Sequence, residues 1–182
     1  KDVLYCDSLK SKKRKGCVIV LNIILESLLK WFAPILVFTT EEIYNLIKKD
    51  NKSIHEHEFL QIPKSWANLN LNDKWESLNK IKQAVNIAIE EKRSKKVIGS
   101  SLEAEIEIFL DKKNYDLLEN LDLTEYFITS KAKRNFNKDN KNEIKVLVKK
   151  SSGVKCERCW KIVEKKCMRC EKIIQKKKTN GS

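Results

Sequence analysis

The sequence predicts a mainly helical first part, a small α+β part after it, and a compact module at the end that is held by four cysteines. Apolar residues recur at helical spacing up to Gly99 and then alternate with polar ones, as they do in strands. Four of the six cysteines lie close together near the end of the chain. We therefore expect domains at residues 1–60, 61–150 and 151–182.

Three helices are predicted in the first part. The first covers residues 11–32, and Pro34 ends it because proline lacks the backbone donor that a helix needs. The second runs from residue 39 or 40 to about 48, since two acidic residues there suit the positive end of a helix. Residues 50–72 are predicted to be a connector, and a long amphipathic helix starts at Asp73.

The α+β part is predicted from the change of period. Residues 102–110 alternate between apolar and acidic side chains, which is typical of a half-buried strand. A short helix is expected at residues 112–121, and two further strands at residues 126–129 and 144–148. Residues 131–142 are polar enough to be a mobile loop between those two strands.

The positive charge is concentrated at the end of the chain. The 182 residues contain 38 Lys plus Arg and 25 Asp plus Glu, a net charge of +13. Residues 1–130 carry 20 cations and 20 anions, so the whole excess lies in residues 131–182. Such an excess favours a polyanionic partner, namely nucleic acid, an acidic protein or an anionic membrane surface. The chain is too short for a (β/α)₈ barrel, which takes about 250 residues.

No targeting or membrane-spanning pattern is present in the sequence. The uncharged apolar run at residues 16–25 is half as long as a membrane-spanning helix, and no signal peptide opens the chain. The first residue is Lys1 rather than Met, which suggests a fragment or a processed product. We expect a soluble, cytoplasmic protein whose cysteines stay reduced.

The four clustered cysteines form two pairs with the spacing of metal ligands. Cys156 and Cys159 are followed, after seven residues, by Cys167 and Cys170. A two-residue spacing lets a tight turn direct two thiolates at one ion, and two such turns complete a tetrahedral zinc site. Four cysteine ligands close the site, which predicts one structural Zn²⁺ that supplies most of the module's folding energy. Two disulfides or four unrelated thiols are the alternative.

The remaining cysteines and histidines give no sign of catalysis. Cys6 and Cys17 have apolar neighbours and are predicted to be small core residues. His55 and His57 alternate with acidic residues in the connector and are predicted to be solvated rather than metal ligands. No catalytic residue is predicted, because nothing in the sequence pairs a cysteine with a histidine.

Trp160 directly follows a cysteine ligand and is surrounded by cations. An aromatic ring among cations can stack on an unpaired base while the phosphates are neutralised, which contributes roughly 1–3 kcal/mol per base. The alternative is that the ring packs as the small core of the module.

Several stretches, taken in order, match the pattern of one family. They are KDVLYC at 1–6, LLKWFAPILVFTTEEIYNLI at 28–47, IGSSLEAEIEI at 98–108, EYFITS at 125–130, KCERCW at 155–160 and CMRC at 167–170. This ordered set resembles the carboxy-terminal part of bacterial isoleucyl-tRNA synthetases, which are class I aminoacyl-tRNA synthetases. The resemblance implies a helical anticodon-binding bundle, then a small α+β junction domain, then a zinc-ribbon or knuckle module. The seven-residue gap between the cysteine pairs is shorter than is usual in the family.

The resemblance implies a fragment that binds the anticodon stem-loop of tRNA(Ile). Isoleucine would be attached with ATP and Mg²⁺ by the remainder of the synthetase, upstream of Lys1. The family's His-Ile-Gly-His and Lys-Met-Ser-Lys-Ser signatures do not occur in this sequence, so we expect no catalytic or editing site and no activity of the fragment alone. We expect neither DNA nor a membrane as a partner. The candidate RNA contacts are Trp160, Arg158, Lys161 and Arg169, with Arg14 as a weaker candidate.

Two other functions stay open at this point. Formamidopyrimidine-type DNA glycosylases carry a related four-cysteine finger, but their nucleophile is an amino-terminal proline, and the only prolines here are Pro34 and Pro63. The second open function is that of a non-catalytic module, held together by zinc, that binds an acidic protein. Steeply salt-dependent RNA binding would distinguish a tRNA-binding fragment from that module.

Overall fold

A computed structural model of the chain describes residues 2–48, 52–137 and 144–179. It divides into two compact units, Lys1–Ala67 and Asn68–Ser182. The first unit is helical. The second unit combines helices, a three-stranded sheet, a two-stranded ribbon and a cluster of four cysteines. This composition agrees with the predicted mainly α class that includes a small α+β part.

The α-helices described in the first unit are α1 (Asp2–Cys6), α2 (Lys12–Phe32) and α3 (Val37–Ile47), and short 3₁₀ helices follow at Ile54–Glu56 and Lys64–Trp66. Helix α2 confirms the first predicted helix, and the Ser11 side chain caps it by accepting a hydrogen bond from a backbone N–H. Helix α3 begins earlier than the predicted residue 39 or 40. The hydroxyl of Thr40 does not cap the helix, because it donates to a carbonyl of the preceding turn.

The connector is attached to α3 by one carboxylate. Oε2 of Glu41 accepts hydrogen bonds from Ser53 Oγ at 2.7 Å and from the Ile54 amide at 2.9 Å. These hydrogen bonds hold the pKa of Glu41 below its ordinary value. The prediction of solvated histidines holds for exposed His55. It is wrong for His57, whose Nε2 lies 2.8 Å from a buried tyrosine hydroxyl.

The core of the first unit is small, and much apolar surface remains outside it. Its buried residues are Leu29, Ala33, Tyr44 and Ile54. Cys6 is buried as predicted, whereas Cys17 is only half-buried. Phe38 and Leu46 of α3 are 88% and 77% exposed. An apolar face of this kind is typical of a surface that packs against another protein segment.

Helix α4 (Leu69–Ser94) is the predicted long amphipathic helix of the second unit, but it starts before Asp73. Oδ1 of Asn68 caps the helix by accepting a hydrogen bond from the Leu71 amide at 3.0 Å. Asn68 lies in the predicted connector, residues 50–72, so the end of that connector is helical. The buried residues of α4 recur every three or four positions and are Leu78, Ile81, Val85 and Ile89. Across residues 2–48, 52–137 and 144–179, no helix is both long enough and apolar enough to span a membrane.

A three-stranded sheet packs against α4. Strand β1 (Ala104–Leu110) is central and pairs in parallel with β2 (Lys131–Phe136) and antiparallel with β3 (Lys145–Lys150). Alternate residues of β1 are fully buried and join the α4 residues in the main core: Ala104, Ile106, Ile108 and Leu110. Strands β1 and β3 and the short helix α5 (Lys112–Leu117) confirm three predicted elements.

The predicted strand at residues 126–129 is wrong. Tyr126 ends a short helix, α6 (Leu123–Tyr126), and Ile128 has a left-handed backbone with φ of 57°. The side chain of Asp122 caps this helix by accepting a hydrogen bond from the Glu125 amide at 3.1 Å. A local cap therefore outweighs the β-forming tendency of the aromatic and β-branched residues that follow.

The predicted loop at residues 131–142 is also wrong for its first half, which is strand β2. Its lysines lie opposite glutamates of β1, with Lys131 beside Glu105 and Lys133 beside Glu107. Cross-strand pairs of opposite charge stabilise a strand that looks too polar when it is read alone. Residues 138–142 of the predicted loop lie outside the described residues.

We expect Ile81→Ala to lower the free energy of unfolding of the second unit by about 2–5 kcal/mol, because its side chain is fully buried between α4 and the sheet. The matched variant is Ile87→Ala on the same helix, where the side chain is 64% exposed and the change should stay within about 0.5 kcal/mol. Urea unfolding followed by circular dichroism measures both. Equal losses would contradict this packing.

Candidate metal centre and nucleic-acid surface

The four clustered cysteines meet in one place. Their sulfur atoms all lie within 4.8 Å of one another, and the Sγ atoms of Cys159 and Cys167 are 3.7 Å apart. Four sulfurs at about 2.3 Å from a tetrahedral zinc ion would be separated by about 3.8 Å. All six cysteines are free thiols. The donor set therefore fits a tetrahedral metal rather than two disulfides.

Backbone hydrogen bonds shape the turn that carries the first pair. The amide of Trp160 donates to the Cys156 carbonyl at 2.8 Å, and the Cys156 amide donates to the Lys161 carbonyl at 2.9 Å. Trp160 takes a left-handed backbone with φ of 66°. This conformation closes the turn so that both thiols of the pair lie on the same side of it.

The second pair is held at the start of a helix, and a two-stranded ribbon flanks the first pair in sequence. Cys170 lies in the first turn of α7 (Met168–Thr179), and Cys167 directly precedes that helix. The ribbon consists of β4 (Val154–Lys155) and β5 (Ile162–Val163), which pair antiparallel. A turn on one side and a helix start on the other thus supply two sulfurs each.

The thiols of the cluster have different pKa values. Burial raises the pKa of Cys159 to about 12, and it also raises the pKa of Cys170. Burial acts in the same direction at Cys156, but hydrogen bonds from the amides of Cys159 and Arg158 outweigh it and lower the pKa to about 7. Amides directed at a sulfur favour the thiolate, which is the form that binds a metal.

The four-cysteine module is docked on α6 and on the segments that lead into β1 and β2. The amide of Ile162 donates to Ser130 Oγ at 2.6 Å, and the same hydroxyl donates to the Leu102 carbonyl. Lys161 Nζ donates to Thr124 Oγ1 at 2.9 Å. One serine therefore connects the ribbon with the segment that enters β1. These contacts fix the module beyond its covalent connection to β3.

The segment at residues 151–153, between β3 and the ribbon, is folded against the ribbon. Gly153 has φ of 134°, and a Cβ atom there would lie 2.3 Å from the Val163 carbonyl oxygen. Only glycine permits both this backbone conformation and this close approach. Ser151 is buried, and its amide donates to the Glu103 carbonyl at 2.7 Å.

The structure places the predicted RNA contacts in different settings. The side chain of Trp160 is 54% exposed, and Lys155 Nζ lies 5.6 Å from the centre of its ring. Arg158 is half-buried and its side chain contacts the Cys170 sulfur. Lys161 holds the docking contact with α6 described above. Arg169 is half-buried at the start of α7.

Arg14, the weaker candidate, belongs to the first unit. Its Nε donates to the Leu4 carbonyl at 3.0 Å, so the guanidinium ties α1 to α2. The sequence offered no signal for the roles of Ser130 and Thr124. Hydroxyls of this kind have no characteristic spacing, and only their three-dimensional partners reveal them.

A family model described as "Anticodon-binding domain of tRNA ligase" matches residues 1–108, more than half of the chain. The chain belongs to this family. The matched range contains the first unit, α4 and most of β1, whereas the four-cysteine module follows it.

Curated relatives of this anticodon-binding chain are isoleucine–tRNA ligases. The protein from Pelagibacter ubique is 51% identical over 162 residues, which cover 89% of this chain and 18% of that protein. The one from Bartonella henselae is 35% identical over 173 residues, with 90% and 18% covered. That from Thermoanaerobacter sp. (strain X514) is 34% identical over 174 residues, with 88% and 19% covered. The chain thus spans less than a fifth of the length of these relatives.

We expect Ser130→Ala to loosen the docking of the module, because the Ile162 amide loses its acceptor at a cost of about 1–3 kcal/mol. Hydrogen exchange read by NMR at that amide should become faster. Ser152→Ala, at an exposed position of the adjoining segment, is the matched control and should leave the exchange rate unchanged. Unaltered exchange in Ser130→Ala would contradict the assigned contact.

Proposed function

We propose that this chain binds the anticodon stem-loop of tRNA(Ile) as part of an isoleucine–tRNA ligase. The match of residues 1–108 to an anticodon-binding domain carries this proposal. The isoleucine–tRNA ligases among the relatives supply the identity of the tRNA. Neither observation favours the tail of a DNA glycosylase or a module that binds an acidic protein. The site of action is then the cytoplasm, where tRNA is charged.

In this proposal the four cysteines bind one structural Zn²⁺. The sulfur separations fit tetrahedral coordination, and four thiolates leave no open position for a reacting water molecule. The ion would cross-link the turn before Trp160 to the start of α7. Its role is therefore to hold the RNA-contacting side chains in place.

Trp160 is the side chain best placed to stack on a base of the anticodon loop. Its ring is exposed, and its left-handed backbone closes the turn that carries the first cysteine pair. The cations around it, Arg158, Lys161 and Arg169 among them, would neutralise nearby phosphates. Stacking on an unpaired base together with neutralised phosphates is how proteins hold single-stranded RNA loops.

The ligase reaction itself would belong to the remainder of the synthetase upstream of Lys1. ATP and Mg²⁺ act there, and this chain contributes recognition and placement of the tRNA. The exposed apolar face of α2 and α3, which includes Phe38 and Leu46, would pack against that remainder. Burial of this face explains why an anticodon-binding unit has such a small core of its own.

We expect one zinc ion per chain in protein purified without chelators, measured by elemental analysis. Cys156→Ser and Cys167→Ser should each lose the zinc together with the ordered ribbon, because three thiolates no longer close the site. Cys17→Ser, outside the cluster, should keep it. Absence of zinc from the unaltered chain would contradict the proposed metal.

We expect the chain to bind tRNA(Ile) more tightly than the same tRNA with an altered anticodon in filter-binding titrations. Trp160→Ala should weaken binding to tRNA(Ile) about 5–150-fold, the equivalent of one lost stacking contact of roughly 1–3 kcal/mol. The control is Trp66→Ala, since Trp66 is an exposed tryptophan of the first unit. Equal affinity of the unaltered chain for both tRNAs would argue strongly against anticodon recognition.

A further inference from the structure

The two faces of the sheet in the second unit differ: one is apolar and buried, and the other carries most of the charged residues of the strands. Helix α4 covers the face to which Ile106 and Ile108 contribute. Intervening residues of β1 lie on the other face, and directly paired residues of neighbouring strands share a face. We call this charged side the outer face. The charged residues on it are Glu105, Glu107, Lys131, Lys133, Lys145 and Lys149.

The outer face has an excess of positive charge in a regular pattern. Glu105 of the central strand lies between Lys131 and Lys149, and Glu107 lies opposite Lys133. Lysines thus occupy both edge strands and the glutamates occupy the middle strand. Four cations against two anions leave the face positive, and all four lysines lie in residues 131–182, which carry the charge excess of the chain.

The ion pairs on this face leave its lysines available to a stronger anion. Lys131 Nζ lies 3.9 Å from Glu105, and Lys149 Nζ lies 3.2 Å from Glu107. The contact of Lys131 is long and Lys149 is 63% exposed, so an incoming phosphate can compete with the carboxylates for both lysines. Lys133 and Lys145 are exposed on the two opposite edges.

The outer face is continuous with the four-cysteine module. Lys131 also lines an open cleft of about 510 Å³ together with Lys165 and Lys166 of the module. The neighbouring residue, Ser130, makes the docking contact, so the position of the module relative to Lys131 is fixed. Glu164 and Glu171 line the same cleft, so its three lysines leave it with a small positive excess that adjoins the outer face at Lys131.

We propose that the outer face is a second RNA-contact surface, which binds the phosphate backbone of the tRNA while the module contacts the loop. This inference rests on the proposed tRNA binding. All of its cations are lysines, which act as point charges rather than as the planar forks that read base edges. Contacts to phosphates position an RNA without reading its sequence. The outer face therefore adds affinity but no anticodon discrimination.

The test is the double variant Lys133→Gln/Lys145→Gln in the full chain, compared with the control Lys80→Gln/Lys113→Gln. Both remove two exposed lysines, so that net charge falls equally. Each protein is titrated with tRNA(Ile) and with the anticodon-altered tRNA over a series of salt concentrations. Circular dichroism confirms that all variants are folded.

The outer-face variant should bind both tRNAs more weakly by the same factor, on the order of tenfold at low salt, and its salt slope should fall by about 2. The control should match the unaltered chain. Equal behaviour of the two double variants overturns the inference while the proposed function stands. Failure of the unaltered chain to bind tRNA(Ile) overturns the proposed function itself.

Acetylation of lysines with a soluble active ester gives a second readout on the unaltered chain. Bound tRNA should protect Lys133 and Lys145 and leave Lys80 and Lys113 reactive, as read by mass spectrometry. Equal reactivity of Lys133 and Lys145 with and without tRNA overturns the inference, and an acidic protein would then be the better partner for this face.

Discussion

The meeting of four cysteine sulfurs at one point is the constraint on which the end of the chain depends. The module around them has few buried apolar side chains, since Val154, Trp160 and Met168 are all more than half exposed. Packing alone supplies little free energy in so small a unit. A shared ion, in the zinc-bound form proposed here, replaces the missing core and fixes the turn and the helix that carry the sulfurs.

Docking extends that local order to the rest of the second unit. Ser130 accepts from the ribbon at Ile162 and donates to the segment that leads into β1, so one hydroxyl joins the module to the main core. Gly153 permits the chain to fold back tightly between β3 and the ribbon. The result is that lysines of the module and of the sheet line one cleft, so the positive charge is not confined to a tail.

Local patterns in the sequence predict much of this structure. The remaining elements depend on contacts between residues that are far apart in the sequence. The metal-ligand spacing, helix α2 and the alternation of β1 depend on nearby residues, and the structure contains them. Strand β2 is predicted as a loop because its sequence is polar. Its lysines are stabilised by glutamates of β1 some 26 residues earlier, which a local pattern does not reveal. The segment around Ile128 is predicted as a strand from its aromatic and β-branched residues. The apolar pattern gives no sign that Asp122 caps a helix just before it. The docking role of Ser130 arises only from partners that are distant in sequence.

In the proposed function, anticodon recognition by this chain requires the metal-held module in addition to residues 1–108. The most direct test titrates the chain with tRNA(Ile) and with the anticodon-altered tRNA before zinc removal, after it, and after zinc is restored. We expect zinc removal to abolish the difference between the two tRNAs and to leave weaker, salt-dependent binding by the sheet, and zinc addition to restore the difference. Full anticodon discrimination by the zinc-free chain would contradict the account.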